Sequence, residues 1–324
     1  MSLFSVIIPC YNSKESIVKC IDSLTNQTFQ DFDVIIIDDC SQDDTYNFLE
    51  QYLSNVPLNT YLLKNEKNSG PAFSRNKGIS VSKSTYIAFC DSDDWYERNY
   101  LQLMYEAAVV QDADIVFSNS RRVFAQGKTM PLNNISGIPK HGLMKDMLVT
   151  GVDSLGSMIV KRSIISNYKI PHLRNGEDMA VIPVLIAHSK KFGFVEEHIY
   201  NYFYSGNSLS TKVSQNVIDS LLKSFDYIET NLSDELYEEC EYLGIRNVLY
   251  GAVLNTFKIK YQPKVAKKII DDFEKKYPKW INNKHLNLLP KQKKFFLKLI
   301  KNRLYFGVWF MSKLHTQLLK IRLF

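Results

Sequence analysis

The chain has 324 residues, 45% of them hydrophobic, which is enough for one large α/β domain with a smaller appendage and excludes a disordered polypeptide. Its five cysteines are odd in number and never form Cys-x-x-Cys, so neither a disulfide framework nor a zinc site is indicated and a reducing compartment is expected. The net charge of +6 conceals an asymmetry: residues 255–324 carry 18 Lys and Arg against Asp271, Asp272 and Glu274, whereas residues 1–254 carry 22 basic against 31 acidic side chains.

Residues 4–8 read as a strand, and Ser13 is placed to cap a helix whose Ile17, Cys20, Ile21 and Leu24 recur on one face. A β-branched strand at 34–37, a helix at 43–54 and a strand at 60–63 follow. After Gly70-Pro71 the pattern predicts a helix to about residue 82, a strand at 86–90, a helix at 99–111 and a strand at 114–118. Such alternation predicts an α/β fold with a mostly parallel sheet flanked by helices. Ligands of open sheets sit beyond the carboxyl ends of the strands, so the polar clusters 9–12, 38–44 and 91–94 are expected on one rim. Residues 119–210 are less regular, and helical patterns resume from 213, broken near Pro263, Pro278 and Pro290. The apolar stretch 4–8 is too short for a signal peptide, and residues 305–311 are far too few to span a bilayer, so a cytoplasmic chain is expected.

Three carboxylates, Asp91, Asp93 and Asp94, crowd around Ser92 after an apolar strand. If the strand continues through them, Asp91 and Asp93 leave it on one side. Their mutual repulsion suits a divalent cation with oxygen ligands, Mn²⁺ or Mg²⁺; a solvated acidic turn is the plain alternative. Tyr11 and Asn12 end the first strand with a ring to stack on a base and an amide to hold its edge, or form an ordinary strand-to-helix turn. Asp38 and Asp39 are acceptors suited to the N3–H of uracil or to ribose hydroxyls. Arg75 either reaches a phosphate, locks the carboxylates or lies on the surface. Neither a Gly-x-Gly-x-x-Gly nor a Gly-Lys-Ser/Thr motif occurs, which removes the dinucleotide-binding and P-loop classes. Glu177 and Asp178 precede an apolar helix, as an N-terminal cap or as a base for proton transfer. Trp95 walls a sugar pocket or packs in the core, while His172 and His198 read as structural or surface residues.

Taken together, Val6-Ile-Ile-Pro-Cys-Tyr-Asn12, Asp38-Asp-Cys-Ser41, Ser74-Arg-Asn-Lys-Gly78 and Asp91-Ser-Asp-Asp94 resemble the signature of family 2 glycosyltransferases of GT-A fold over residues 1–210. The resemblance implies a nucleotide-sugar-binding catalytic domain at 1–210 and a helical C-terminal region at 211–324. It implies that Pro9, Tyr11, Asn12, Asp38, Asp39, Arg75, Asp91 and Ser92 bind the nucleotide sugar, with Asp39 on the uracil, and that Asp91, Asp93 and Asp94 hold the metal. It makes Asp178 the catalytic base with Glu177 supporting it, and the reaction an inverting hexosyl or N-acetylhexosaminyl transfer. The donor is expected to be UDP-linked and the acceptor a surface polysaccharide or a lipid-linked glycan. The stretch 200–210 resembles the family's Tyr-x-Tyr-Arg-x(4)-Ser-x-Ser loop, which makes Ser208 and Ser210 diphosphate contacts. Phe203 stands where many relatives carry Arg, leaving a phosphate cation unassigned, with Lys212 a weak substitute. That departure keeps open a non-catalytic nucleotide-sugar-binding protein as the alternative.

In the tail, Ile300, Leu304, Val308, Met311, Leu314 and Leu318 recur at helical spacing, with Lys294, Lys298, Lys301 and His315 on another side. Together with Tyr305, Trp309 and Phe310, this reads as a basic amphipathic helix on the inner membrane surface. Packing on the catalytic domain or homo-oligomerisation would use the same stripe. No nucleic-acid recognition module is recognisable, and none is expected.

Overall fold

The structure, a computed structural model, describes all residues other than 134, 136–143, 151, 153, 174, 206–212 and 324, and of residues 318–323 the backbone alone. The chain divides into two units, Met1–His172 with Val181–Asn207, and Leu173–Ala180 with Ser208–Phe324.

The first unit alternates β1 (Phe4–Cys10), α1 (Ile17–Thr25), β2 (Phe32–Asp38), α2 (Thr45–Leu53), β3 (Thr60–Lys64), α3 (Pro71–Val81) and β4 (Tyr86–Phe89). It continues through β5 (Trp95–Tyr96), α4 (Tyr100–Val110), β6 (Ile115–Phe124), β7 (Thr129–Pro131), α5 (Met144–Thr150), β8 (Met158–Lys161) and α6 (Arg162–Ile165). The helix α7 (Glu177–Ala187) begins in the second unit and ends in the first, which β9 (Phe192–Tyr204) completes.

One sheet runs β3-β2-β1-β4-β8-β6-β9-β5, with β7 beside β6. The parallel block expected from the alternation spans β3 to β4. Beyond it the sheet is mixed, because β8 enters antiparallel between β4 and β6, while β6 and β9 pair in parallel. Every residue of β1 and β2 is buried, which is why these strands read as unbroken apolar runs. In register, Cys10 lies beside Asp38, and Asp38 beside Lys64, so the carboxyl ends of β1, β2 and β3 form one edge. The helix α1 buries Ile17, Cys20, Ile21 and Leu24, as the periodicity predicts. Close packing of α3 requires Gly78, where an added Cβ would lie 2.6 Å from Ile7 Cγ2.

The second unit holds α8 (Gln215–Asn231), α9 (Tyr237–Gly244), a π-helical stretch Ile245–Ala252, α10 (Val253–Ile259), α11 (Pro263–Lys276), α12 (Lys291–Lys301) and α13 (Tyr305–Leu323). Pro263 opens α11, where a missing N–H breaks no helical bond. The tail stripe is divided: Ile300 and Val308 are fully buried within this unit, whereas Leu304 and Leu314 are exposed. The side chain of Leu318 lies outside the described residues.

Candidate active site

The strand β4 stops at Phe89, although the Cys90 amide still donates to Ile7 O at 3.1 Å. The next four residues form a β-turn closed by the Asp94 amide on Asp91 O at 3.0 Å. A turn rather than a continuing strand therefore groups the carboxylates, and it separates their fates. Arg75, buried on α3, donates from Nη2 to Asp91 Oδ1 at 2.6 Å, so of the readings open for Arg75 the structure shows the one that locks the cluster. Asp93 lies at the exposed rim, and its carboxyl is pushed up to about 6 by crowding that strips its hydration and by the charge of Asp91.

Asp94 turns inward. It is 1% exposed and accepts from the Tyr200 hydroxyl and from the Phe203 amide, the latter at 2.8 Å. Burial, with Asp91 and Asp93 nearby, raises its pKa well above the carboxylate range despite those two donors. The third carboxylate thus ties the turn to β9. The two that remain at the rim, Asp91 and Asp93, are a hard oxygen pair whose repulsion a divalent cation would relieve, and they fit Mn²⁺ or Mg²⁺.

Tyr11 is 43% exposed at the end of β1, and its amide donates to Ser13 Oγ at 3.3 Å. Ser13 was expected to cap α1; instead α1 begins at Ile17, and the Ser13 hydroxyl lies 2.8 Å from that of Ser92. One serine thus joins the Tyr11 segment to the carboxylate turn. Pro9 is buried in β1 beside Ile37. Asn12 adopts φ 50°, and its carbonyl oxygen accepts from the Gln42 and Asp43 amides at 2.8 and 3.4 Å. Asp38 is fully buried and binds both the hydroxyl and the amide of Ser41, whose Oγ also accepts from the Asn12 amide at 2.9 Å. These bonds lock the β1–α1 and β2–α2 loops together.

Asp39 has its own inward set of donors. Its carboxylate accepts from the Ser69 amide at 2.9 and 3.0 Å, the Gly70 amide at 2.6 Å and Asn65 Nδ2 at 2.8 Å. Gly70, at φ 86°, supplies the turn that a side chain would strain. Asp39 therefore holds the approach to α3, which carries Arg75.

Lys19, which the sequence did not single out, packs against Trp95. Its Nζ lies 3.0 Å from the Trp95 ring centroid, and the Phe203 ring packs against the same tryptophan at 6.4 Å. Tyr200 and Asn65 are the partners that orient Asp94 and Asp39; Tyr200 opens the stretch 200–210, whose resemblance pointed to the donor phosphates rather than to Asp94, and Asn65 carries no local motif. Glu177 and Asp178 form the first turn of α7, as expected, in the part of that helix belonging to the second unit. Ser208, Ser210 and Lys212 lie outside the described residues. In the second unit Glu238, Glu239 and His285 cluster, but Glu238 bonds Lys284, and His285 bonds Glu239 at 3.3 Å, an arrangement that needs no ion.

A family profile described as glycosyl transferase family 2 matches residues 5–169. The chain belongs to glycosyl transferase family 2. This glycosyltransferase is 28% identical over 209 residues to TuaG of Bacillus subtilis, named for teichuronic acid biosynthesis, covering 64% of this chain and 82% of that relative. It is 28% identical over 274 residues to a cholesterol galactosyltransferase of Borreliella burgdorferi, covering 79% and 75%. Its fold matches S. aureus TarS 1–349 crystallised with UDP-GlcNAc, with a TM-score of 0.75 at 19% identity over 98% of this chain and 92% of that one. That likeness establishes the GT-A fold for a chain whose sheet and helices are those described above.

Proposed function

We propose that this glycosyltransferase moves a sugar from a UDP-linked donor to a hydroxyl of a surface polysaccharide or lipid-linked glycan, inverting the anomeric centre. The observation that carries this reading is the Ser13 link, which ties the backbone of the exposed Tyr11 to the Asp91–Asp93 turn. A nucleobase on the ring brings its diphosphate toward the carboxylates. Structures of a protein of like fold with UDP and with UDP-GlcNAc support the choice of donor, and relatives named for wall polymers support the choice of acceptor.

In this reading Tyr11 stacks on the uracil, and Asp91 and Asp93 hold Mn²⁺ or Mg²⁺. When bound, that cation supplies Lewis-acid stabilisation of the departing nucleoside diphosphate. Arg75 keeps Asp91 in place, and Asp38, Asp39 and Asn12 fix the loops around the nucleoside. Ser208 and Ser210 contact the diphosphate. Asp178, with Glu177 beside it, accepts the proton of the acceptor hydroxyl as its oxygen attacks the anomeric carbon from the face opposite UDP, and the bond to the UDP oxygen breaks.

Purified protein incubated with UDP-sugars should release UDP with Mn²⁺ and lose that activity in EDTA. Asp93→Asn should abolish release, and Asp178→Asn should retain UDP binding while losing transfer. Turnover in EDTA or in Asp93→Asn would refute the metal role. UDP binding with no turnover of any donor would favour the nucleotide-sugar-binding protein instead.

A further inference from the structure

We infer that the outer face of α12 and α13 is a docking surface for an anionic lipid bilayer, a property separate from the transfer reaction. Of the periodic stripe in the tail, Ile300 and Val308 are buried in the second unit, whereas Leu304 and Leu314 remain exposed. Exposed rings accompany them. Phe306 is 68% exposed and Phe310, one helical turn on, is 57% exposed. Trp309 packs against Phe306 at 5.5 Å and against exposed Tyr261 at 6.0 Å. On α12, Phe295 is also exposed. It stands one turn before Leu299, whose side chain would lie 3.3 Å from a Cβ on Gly307, so α12 and α13 approach closely beside Phe306. Rings of this kind at a surface, with Trp and Tyr at the margin, suit the headgroup boundary of a bilayer.

Charge selects the occupant. The last fifty residues contain 13 Lys and Arg and no Asp or Glu. Lys291 and Lys298 flank Phe295 at one helical turn on either side and are exposed. Neither is in an ion pair among the described residues. A second copy docking through the same face would set like charges against each other, whereas an anionic leaflet attracts them. Among the described residues no helix is long and apolar enough to cross a membrane, so the face lies on the bilayer rather than through it.

The test is co-sedimentation of the full chain with vesicles of phosphatidylcholine alone or mixed with phosphatidylglycerol. Binding to the mixed vesicles should be roughly tenfold tighter and should fall with added salt. Phe306→Ser with Phe310→Ser should abolish it, and Lys291→Glu with Lys298→Glu should weaken it by about tenfold. These positions are exposed, so thermal melting and UDP release in solution should match the parent. Failure to bind mixed vesicles, equal binding to neutral ones, or undiminished binding by the Phe variant would overturn the inference. So would a parent dimer that the Phe variant converts to monomer, which would assign the face to a second copy.

Discussion

Asp94 accepts a hydrogen bond from Tyr200, 106 residues further along the chain, and this pairing withdraws one carboxylate of the acidic turn into the interior. The same carboxylate receives the Phe203 amide. Asp94→Ala therefore leaves a buried hydroxyl and a buried amide unsatisfied and should destabilise the protein by about 2–4 kcal/mol. Tyr200→Phe removes one donor and should cost about 1 kcal/mol. The double variant should lose less than the two effects combined, because both break the same bond. Thermal denaturation of the four proteins completes the cycle, and strict additivity would show that the two side chains act independently.

Arg75 reaches Asp91 from an almost fully buried position, while Asp91 itself is partly open to water. The pair is therefore worth less than a fully buried one, and Arg75→Ala should lower the melting temperature by only a few degrees. Its effect on activity should be larger. With Asp91 freed and repelled by Asp93, UDP release at limiting Mn²⁺ should drop by roughly tenfold and recover in part at high Mn²⁺. No change in Mn²⁺ dependence would remove Arg75 from the positioning of this turn.

Gly156 offers a way to disturb Asp94 from a distance. A Cβ there would lie 2.2 Å from Tyr200 Cζ, and the Tyr200 ring has no open side, being fully buried. Gly156→Ala should destabilise by about 1–3 kcal/mol through overpacking. It should also reduce Mn²⁺-dependent UDP release, as Tyr200 shifts against Asp94. Wild-type melting and activity in this variant would mean that the ring relocates without consequence.

Asp114 joins β6 to the start of β9 and to β8, accepting from the Lys190 and Lys191 amides at 2.8 and 3.1 Å and from Lys161 Nζ at 3.0 Å. Burial alone would raise its pKa, but these donors outweigh it and the pKa is lowered. A carboxyl with a lowered folded-state pKa stabilises the fold above its unfolded value of about 4 and loses that contribution as pH falls through the folded value. Denaturant titrations should show parent stability declining below about pH 4 more steeply than that of Asp114→Asn. Parallel curves for the two proteins would exclude Asp114 as a source of acid sensitivity.

The strands β1 and β2 and the helix α1 were legible because burial on both faces leaves contiguous apolar runs, and burial on one face leaves a 3.6-residue period. The acidic turn was legible as a group but not as individuals. Whether Asp94 or Asp93 faces outward depends on β9 lying beside β5, a pairing set by tertiary packing. Asp39 is a similar case, since its residue type fits a nucleobase and a backbone turn equally well, and only the folded chain brings the Ser69 and Gly70 amides to it. The tail illustrates a different limit. Ile300 and Val308 have the spacing of any amphipathic helix, and the same period serves a protein core or a bilayer until neighbouring helices are in place.

The Ser13 hydroxyl lies 3.1 Å from the Tyr11 carbonyl and 2.8 Å from the Ser92 hydroxyl, and when its one proton goes to that carbonyl the hydrogen of Ser92 fills the gap between the two serines. Ser92 then shows only lone pairs to the outside, between two side chains that in their ionised form have nothing but lone pairs to show. With both carboxyls ionised, the side chains from Asp91 to Asp93 present only acceptors. It discriminates by polarity before shape, admitting partners that arrive with positive charge or protons to donate and turning away a bare phosphate.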